Sequence, residues 1–389
     1  MCLLKHVGGA FTHEPSELKD RLSPPASDLV KKSFEDLDDA RLLDYHTHIA
    51  GVGSRGTGAF VNSKMRTWAH PLHRLKFEVY LSAAGVEEEE DADGQFVSRL
   101  TDLVRHTGRP GRHRILAFDK NYLPDGTANL EKTEFYVPNE YVFSLAETHA
   151  DIFEPVISVN PYRADARAEL ERWAARGARC VKWLPNAMGI DPSDERCDSF
   201  YRKMKQLGLV LLSHGGEEKA VEAEEDQRFG NPLLLRRPLE HGVKTIVAHC
   251  AGLGTSVDLE DPARKHVSNF RLFLRLMEDK RYDGLVFGDI SAMTQSNRIG
   301  EPLSTILARE DLHARLVNGS DYPLPAVNAL IRTRPLVRAG YLDADEREPL
   351  RELYGFNPIL FDFVLKRRLR LPGKNRRLPA RVFTAHPEL

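Results

Sequence analysis

Eight short runs of aliphatic and β-branched residues recur along the chain, and most stretches between them are long enough for a helix. The runs are RLLDYHTHI (41–49), HRILAFDK (113–120), FEPVISVN (153–160), ARCVKWLP (178–185), LGLVLLSHGG (207–216), VKTIVAHCAG (243–252), GLVFGDISAM (284–293) and RLVNGSDYP (315–323). Their apolar positions are mostly continuous rather than alternating, which is typical of parallel strands covered on both faces. The pattern predicts an α/β protein.

The segments between these runs have the polar and apolar spacing of helices. Examples are RADARAELERWAARG, DSFYRKMKQLG and VSNFRLFLRLMEDKRYDG, each of which ends on a glycine that suits a helix C-terminus. Eight alternations of strand and helix predict a closed (β/α)8 TIM barrel, with a doubly wound open sheet as the alternative.

Three regions lie outside a minimal barrel within residues 41–366. Residues 1–40 are predicted to form an N-terminal extension packed on the barrel. Residues 51–112 are predicted to form an insertion after strand 1 that lies over the barrel mouth. The acidic EEEEDADG run in this insertion is interpreted as a solvated face. Residues 367–389 are a basic C-terminal tail, and the stretch from Lys366 to Arg381 is interpreted as a solvated arm that packs its leucines on the body.

The composition is that of an ordinary globular protein, with 41% hydrophobic and 29% charged residues. A formal net charge of -2 gives no field that would recruit nucleic acid or an anionic membrane, so neither is expected as a partner. The chain has no long apolar run and its start does not resemble a signal peptide. Its four cysteines, Cys2, Cys180, Cys197 and Cys250, form no CxxC pair, and we expect a cytoplasmic protein.

Polar residues with metal-binding or acid–base chemistry follow five of the predicted strands. They are His46 and His48 on the first strand, Lys182 on the fourth, His214 on the fifth, His249 on the sixth and Asp321 on the eighth. The carboxyl ends of barrel strands meet at one face, so these side chains should converge, and burying them unpaired would be costly. The set predicts a divalent metal site, most simply zinc, although Mn²⁺, Fe²⁺ or Co²⁺ would fit the same ligands.

Other histidines are interpreted as structural or solvent-exposed. They are His70 and His73 in an HxxH on a predicted helix, His106, His113 and His241. Cys250 should point away from His249 on an alternating strand and belong to the core.

The histidines and the aspartate, in this order along the strands, resemble the signature of the amidohydrolase superfamily of metal-dependent barrel enzymes. GSDYP and YGFNPILFDFVLKRRL are similar in detail to the amidohydrolase-2 branch. The resemblance implies that His46, His48, His214 and Asp321 bind the metal. It also implies that His249 is a ligand of a second ion or an acid or base.

Lys182 has two interpretations. It is either a carbamate that bridges two metals, as in the dihydroorotase-like branches, or a supporting residue that binds no metal. A protonated lysine beside a dication is electrostatically disfavoured, so the free amine would have to be neutral or directed away. We expect one ion, with two as the alternative.

Three function hypotheses follow. The first is a hydrolase of a C–N or C–O bond in an amide, lactone or ester, in which Asp321 moves the proton of a metal-activated water and His249 polarises the carbonyl. The second is a non-oxidative decarboxylase, and the third is a metal-binding protein without turnover. The expected partner is a small-molecule substrate, with Arg55, Gln295 and Arg298 as candidate contacts. A homo-oligomer is left open.

Overall fold

The computed structural model describes residues 8–9, 13–221 and 223–389, so Cys2 lies outside the described part. Each of the eight predicted runs overlaps one parallel strand. The strands are β1 Leu43–His48, β2 Arg112–Leu116, β3 Phe153–Val156, β4 Cys180–Trp183, β5 Val210–His214, β6 Thr245–Ala248, β7 Val286–Asp289 and β8 Leu316–Val317.

Hydrogen bonding arranges these strands into a ring. Neighbouring strands pair in parallel in the order β1-β2-β3 and in the order β4-β5-β6-β7-β8. Parallel bridges between Ile157 and Val181 and between Thr47 and Tyr322 join the two groups at both ends. The predicted (β/α)8 barrel is therefore confirmed, and the open doubly wound alternative is wrong.

Side chains that alternate along the strands separate two apolar cores. The interior of the barrel is filled by one set of buried side chains, namely Leu43, Tyr45, Leu116, Val156, Cys180, Val210, Leu212, Ile246, Ala248, Phe287 and Val317. The intervening residues, such as Val181, Leu211 and Val247, belong to a second core shared with the surrounding helices. Cys250 is buried in this outer core, as predicted.

Helices cover the outside of the ring, and further helices precede β1 and follow β8. Those of the described part are Leu18–Arg21, Pro24–Phe34, Ser63–Arg66, Pro71–Ala83, Ala92–Arg105, Asn139–Thr148, Ala166–Ala175, Pro185–Met188, Asp198–Leu207, Arg236–Glu240, Asn269–Glu278, Glu301–Ala308, Thr333–Arg338, Arg347–Phe356 and Pro358–Arg368. Two short antiparallel pairs join Phe60–Val61 to Phe135–Tyr136 and Thr255–Val257 to His266–Ser268. None of the described helices is both long and apolar enough to cross a bilayer.

The C-terminal tail packs its apolar residues as expected, because Leu369 and Leu378 are buried in the outer core. Lys366 departs from the expected solvated arm. Its ammonium group is buried, and it donates to the Asp362 carboxylate at 2.5 Å and to the Gly319 carbonyl at 2.7 Å. This lysine is therefore a structural cation beneath the end of β8.

Candidate active site

A β-bulge in β1 turns both histidines of the HxH motif toward the barrel mouth. Between the pairs Asp44–His113 and Thr47–Ile115, β1 contains one residue more than β2. Leu43 and Tyr45 face the barrel interior, and the extra residue shifts the alternation so that the even-numbered His46 and His48 face it afterwards. The i and i+2 spacing of the two histidines places them on the same face of β1, but it does not specify that this face is the barrel interior.

Three potential metal-donor atoms lie close together, two from the end of β1 and one from the loop that follows β8. His46 Nε2 lies 3.1 Å from His48 Nε2, and Asp321 Oδ1 lies 3.4 Å and 3.3 Å from these two nitrogens. The backbone of Asp321, at a positive φ of 61°, donates its N–H to the His46 carbonyl at 2.7 Å. Ligands about 2.0–2.1 Å from one tetrahedral ion would be separated by roughly 3.3 Å, so the three donors fit a zinc-sized ion.

Charges in this cluster reinforce the states that metal ligands require. Burial strongly lowers the pKa of His46, and the neighbouring Lys182 lowers it further, so the imidazole is neutral. Burial alone would raise the pKa of Asp321, but His46, a hydrogen bond to His48 and Lys182 together lower it to about 2. A neutral imidazole and an ionised carboxylate are the metal-binding forms.

Lys182 is fully enclosed beside the donor cluster. Its Nζ lies 3.1 Å from His46 Nε2, and burial lowers the pKa of the amine to about 8. The structure thus places Lys182 next to the nitrogen that a metal would use.

A buried hydrogen-bond network orients His46 and His249 together. Asp289 Oδ2 lies 2.7 Å from His46 Nδ1 and accepts the hydroxyl proton of Ser291 at 2.5 Å. The Ser291 oxygen lies 2.8 Å from His249 Nδ1. Because the hydroxyl proton is already donated to Asp289, we assign His249 Nδ1 as the donor to Ser291. Neutral His249 then carries a lone pair on Nε2.

His214 stands beside His249 with an unpartnered nitrogen. The two ring centroids are 5.2 Å apart, and His214 Nδ1 lies 3.5 Å from Glu218 Oε2. His214 Nε2 is buried, and no described residue forms a hydrogen bond with it. Its distance from the other donors keeps it outside the tight three-atom cluster. An orphaned imidazole nitrogen on the wall of the site nevertheless fits an additional ligand position.

These residues lie at the bottom of a cavity of about 570 Å³. His46, His48, Lys182, His214, His249, Asp321, Gln295 and Arg298 all line it. Its remaining wall is mainly apolar, and much of that wall comes from residues between 61 and 96, which follow β1. The barrel ends therefore supply the polar floor, and the segment after β1 supplies an apolar wall.

One predicted substrate contact is not part of this arrangement. Arg55 lies outside the cavity lining, and its exposed side chain forms an ion pair with Asp91 at 2.5 Å. A surface carboxylate satisfies this arginine, so it is not included in the site. Gln295 and Arg298 do line the cavity.

The histidines that the sequence placed outside the site are also outside the cavity lining. His113 is buried 3.5 Å from Asp44, and His241 lies 2.9 Å from Asp198. His106 Nδ1 contacts the Asp102 carbonyl at 2.9 Å. The rings of His70 and His73 face each other edge to face.

Sequence reasoning missed Asp289, Ser291 and Glu218. Asp289 and Ser291 were both inside the seventh predicted run, GLVFGDISAM, and Asp289 follows Phe287 on the inward-facing side of β7. That alternation was the available signal. Glu218 lies in the loop after β5, and nothing in the sequence indicates that it approaches His214.

The fold and the site together define the class: a (β/α)8 barrel with a histidine and aspartate cluster at the carboxyl ends of its strands. A model of the amidohydrolase family matches residues 43–352, so the chain belongs to this family of metal-dependent enzymes. No curated protein sequence matches the chain.

Similar solved structures include a TIM-barrel protein of uncharacterised function from Bordetella bronchiseptica, which is 14% identical, with a TM-score of 0.50 over 79% of this chain and 94% of that one. This likeness supports the barrel fold. An amidohydrolase from Burkholderia multivorans with bound zinc is 13% identical, with a TM-score of 0.42 over 82% and 100% of the two chains. IDCase from Metarhizium anisopliae is 11% identical, with a TM-score of 0.44 over 86% and 98%.

Proposed function

We propose that this protein is a metal-dependent hydrolase of a C–N or C–O bond in an amide, lactone or ester. The main support for this proposal is a cluster of three donor atoms, His46 Nε2, His48 Nε2 and Asp321 Oδ1. Their mutual separations of 3.1–3.4 Å suit a shared ion on the cavity wall. Its nitrogen and oxygen donors favour zinc. His214, with its unpartnered Nε2, is the fourth proposed ligand.

A divalent ion held there would supply Lewis acidity, which polarises a carbonyl group and makes water more acidic. Asp321 is ionised and has a second oxygen, Oδ2, 3.9 Å from His249 Nδ1. With Oδ1 directed at the histidines, Oδ2 can accept the proton of the attacking water and deliver it to the leaving group.

His249 serves this chemistry as a proton acceptor. Burial strongly lowers the pKa of its imidazole, and Arg298 lowers it further, so the ring is neutral. With Nδ1 donating to Ser291, the Nε2 lone pair can receive a proton or bind a metal, but it cannot donate to a carbonyl unless it is first protonated. The expected direct polarisation of the carbonyl by neutral His249 is therefore not part of the proposal.

Non-oxidative decarboxylation of an aromatic or related carboxylic acid is the second candidate. The largely apolar cavity favours it, because a carboxylate that enters a poorly hydrated site loses solvation that neutral CO₂ does not need. The substrate carbon would then take up one proton, which neutral His249 can deliver only after its Nε2 has taken one from solvent.

The two reactions differ in the fate of water. The purified full-length protein is loaded with zinc and screened against lactones, amides, esters and aromatic acids in H₂¹⁸O. The proposal expects ¹⁸O in a product carboxylate, and no product without metal. Release of CO₂ together with an organic product that carries no ¹⁸O would establish the decarboxylase instead. The cysteines Cys180, Cys197 and Cys250 are free and buried, which supports the further proposal of a reducing, cytoplasmic location.

A further inference from the structure

We propose that the substrate is an amphipathic carboxylic acid whose carboxylate binds Arg298 and whose apolar part lies against the cavity wall formed by residues 61–96. This proposal deepens the proposed function, because it uses the same cavity and assigns a substrate class to it.

Arg298 is a buried cation that forms no ion pair with any carboxylate in the described part of the chain. Its side chain is only 6% exposed and lines the cavity. Its Nη1 donates to the neutral Gln295 side chain, whereas its Nε has no hydrogen-bond partner among the residues that the structure describes. A buried charge of this kind is costly unless something pairs with it.

The three carboxylates whose charges act on Arg298 already form contacts with other groups. Asp321 contacts the histidines of β1, and Asp289 accepts from Ser291 and approaches His46. Glu218 Oε1 accepts hydrogen bonds from the backbone N–H groups of Ala220 and Val221. These contacts leave Arg298, which lines the cavity, available to pair with an anion that enters it.

The guanidinium group is suited to a carboxylate in particular. Its planar N–H groups match two carboxylate oxygens, and charge-assisted hydrogen bonds of this kind are stronger than neutral ones. Gln295 fixes one nitrogen of the group without neutralising it. Arg298 also lies close to the catalytic floor, because a Cβ added at Gly252, three residues after His249, would be 3.4 Å from Arg298 Cδ.

The rest of the cavity suits an apolar group. Val61, Met65, Leu75, Phe77, Val86 and Phe96 contribute to its wall from the segment after β1. Leu72 and Leu75, which are 79% and 41% exposed, extend this wall to the mouth. A cavity of about 570 Å³ is within the range of roughly 300–1,000 Å³ that holds drug-sized ligands. The geometry therefore places an anionic end near the reacting groups and an apolar body toward the opening.

Binding can be tested without turnover. The probes are phenylacetate, 3-phenylpropionate and 4-phenylbutyrate, each compared with its primary amide by calorimetry on the zinc-loaded full-length protein. The acids should bind more tightly than the amides. Affinity should rise with length, by up to about fourfold for each methylene group that is buried.

Arg298→Met should weaken binding of the acids by about 10- to 100-fold and change binding of the amides by less than about threefold, because only the charged hydrogen bonds are removed. Arg298→Lys, which keeps the charge, should lose less. Arg281→Met removes a surface arginine paired with Asp279 and is the matched control, with no expected effect. Leu75→Asn should flatten the dependence on length, whereas Leu123→Asn, at a similarly exposed leucine outside the cavity lining, should not.

Equal affinity for acids and amides would overturn the proposal. So would acid binding that survives in Arg298→Met but disappears when the metal is removed, since the carboxylate would then bind the metal. Acid binding that depends on Arg298 and persists in metal-free protein supports it, even if the hydrolase screen finds no turnover. Failure of the proposed reaction is therefore distinguishable from failure of the proposed binding mode.

Discussion

Asp289 supports His46 from the side opposite the donor cluster, with Asp289 Oδ2 2.7 Å from His46 Nδ1. Burial raises the pKa of this aspartate to about 6, so it is ionised at neutral pH and accepts the Nδ1 proton. This leaves the Nε2 lone pair of His46 directed at His48 and Asp321. A carboxylate behind a metal-binding histidine fixes its tautomer and its orientation.

Asp289→Asn should lower zinc affinity by about 10- to 100-fold, because the amide no longer imposes one tautomer on His46. The measurement is competition with a chelator of known affinity. Supplying saturating zinc should recover much of the activity, which simple misfolding would not allow. If zinc affinity matched that of the unmodified protein, Asp289 would have no role in positioning the histidine.

His46→Ala combined with His48→Ala should abolish stoichiometric zinc binding and leave a folded barrel. Both side chains contribute nitrogens to the donor cluster at the barrel mouth rather than apolar packing within the barrel. Zinc content is measured by elemental analysis and folding by circular dichroism. His70→Ala with His73→Ala is the matched control, since this pair is outside the cavity, and it should keep its zinc. Full zinc content in the first double variant would contradict the assigned site.

Gly319→Ala should disturb the site through its backbone. An added Cβ would lie 2.5 Å from the His46 Cβ and 2.9 Å from Asp289 Oδ1, so the histidine must move. We expect a loss of about 1–3 kcal/mol in stability together with weaker zinc binding. Gly208→Ala, at a positive φ of 66° with open space around it, should lower stability without affecting zinc affinity. Unchanged zinc affinity in Gly319→Ala would show that the site tolerates the displacement.

The sequence predicted the ring of strands because parallel strands buried on both faces leave a local signal in their continuous apolar runs. It also indicated which polar residues line one cavity, since His48, His214 and Asp321 each lie at or just after the end of a strand. The β1 bulge had no such signal, because an inserted residue depends on pairing with a neighbouring strand. Arg55 was misplaced for a similar reason: its ion pair with Asp91 joins positions far apart in the chain.

The role of Asp289 also depends on a long-range contact that the sequence does not show. It ends an apolar run just as the predicted ligands do, but its function depends on a contact with His46, 243 residues away. The alternation along β7 indicates that Asp289 faces the barrel interior, but its supporting role is recognised only when the contact with His46 is known.

Asp321→Asn should retain much of the zinc while losing roughly 10²- to 10⁴-fold in rate, because the amide keeps an oxygen donor but cannot accept a proton. Steady-state rates at saturating zinc check this, with metal content measured on the same samples. Asp44→Asn removes a buried carboxylate that contacts backbone N–H groups and His113 instead of the donor cluster. This control should affect stability more than rate. Near-normal turnover in Asp321→Asn would remove Asp321 from the proposed proton transfer.

Lys182 decides the number of ions. A free amine 3.1 Å from His46 Nε2, whose pKa burial lowers to about 8, can lose its proton readily when a cation binds nearby, and one ion per chain is then expected. A carbamate on the same nitrogen would instead provide an anionic bridge for two ions. Lys182→Ala should therefore keep its zinc content at one ion per chain, measured by elemental analysis beside the unmodified protein. Mass spectrometry of the intact protein prepared with and without bicarbonate should show no added CO₂. A fall from two ions toward one, with activity partly restored by short carboxylates, would establish the bridging carbamate and contradict the single-ion site.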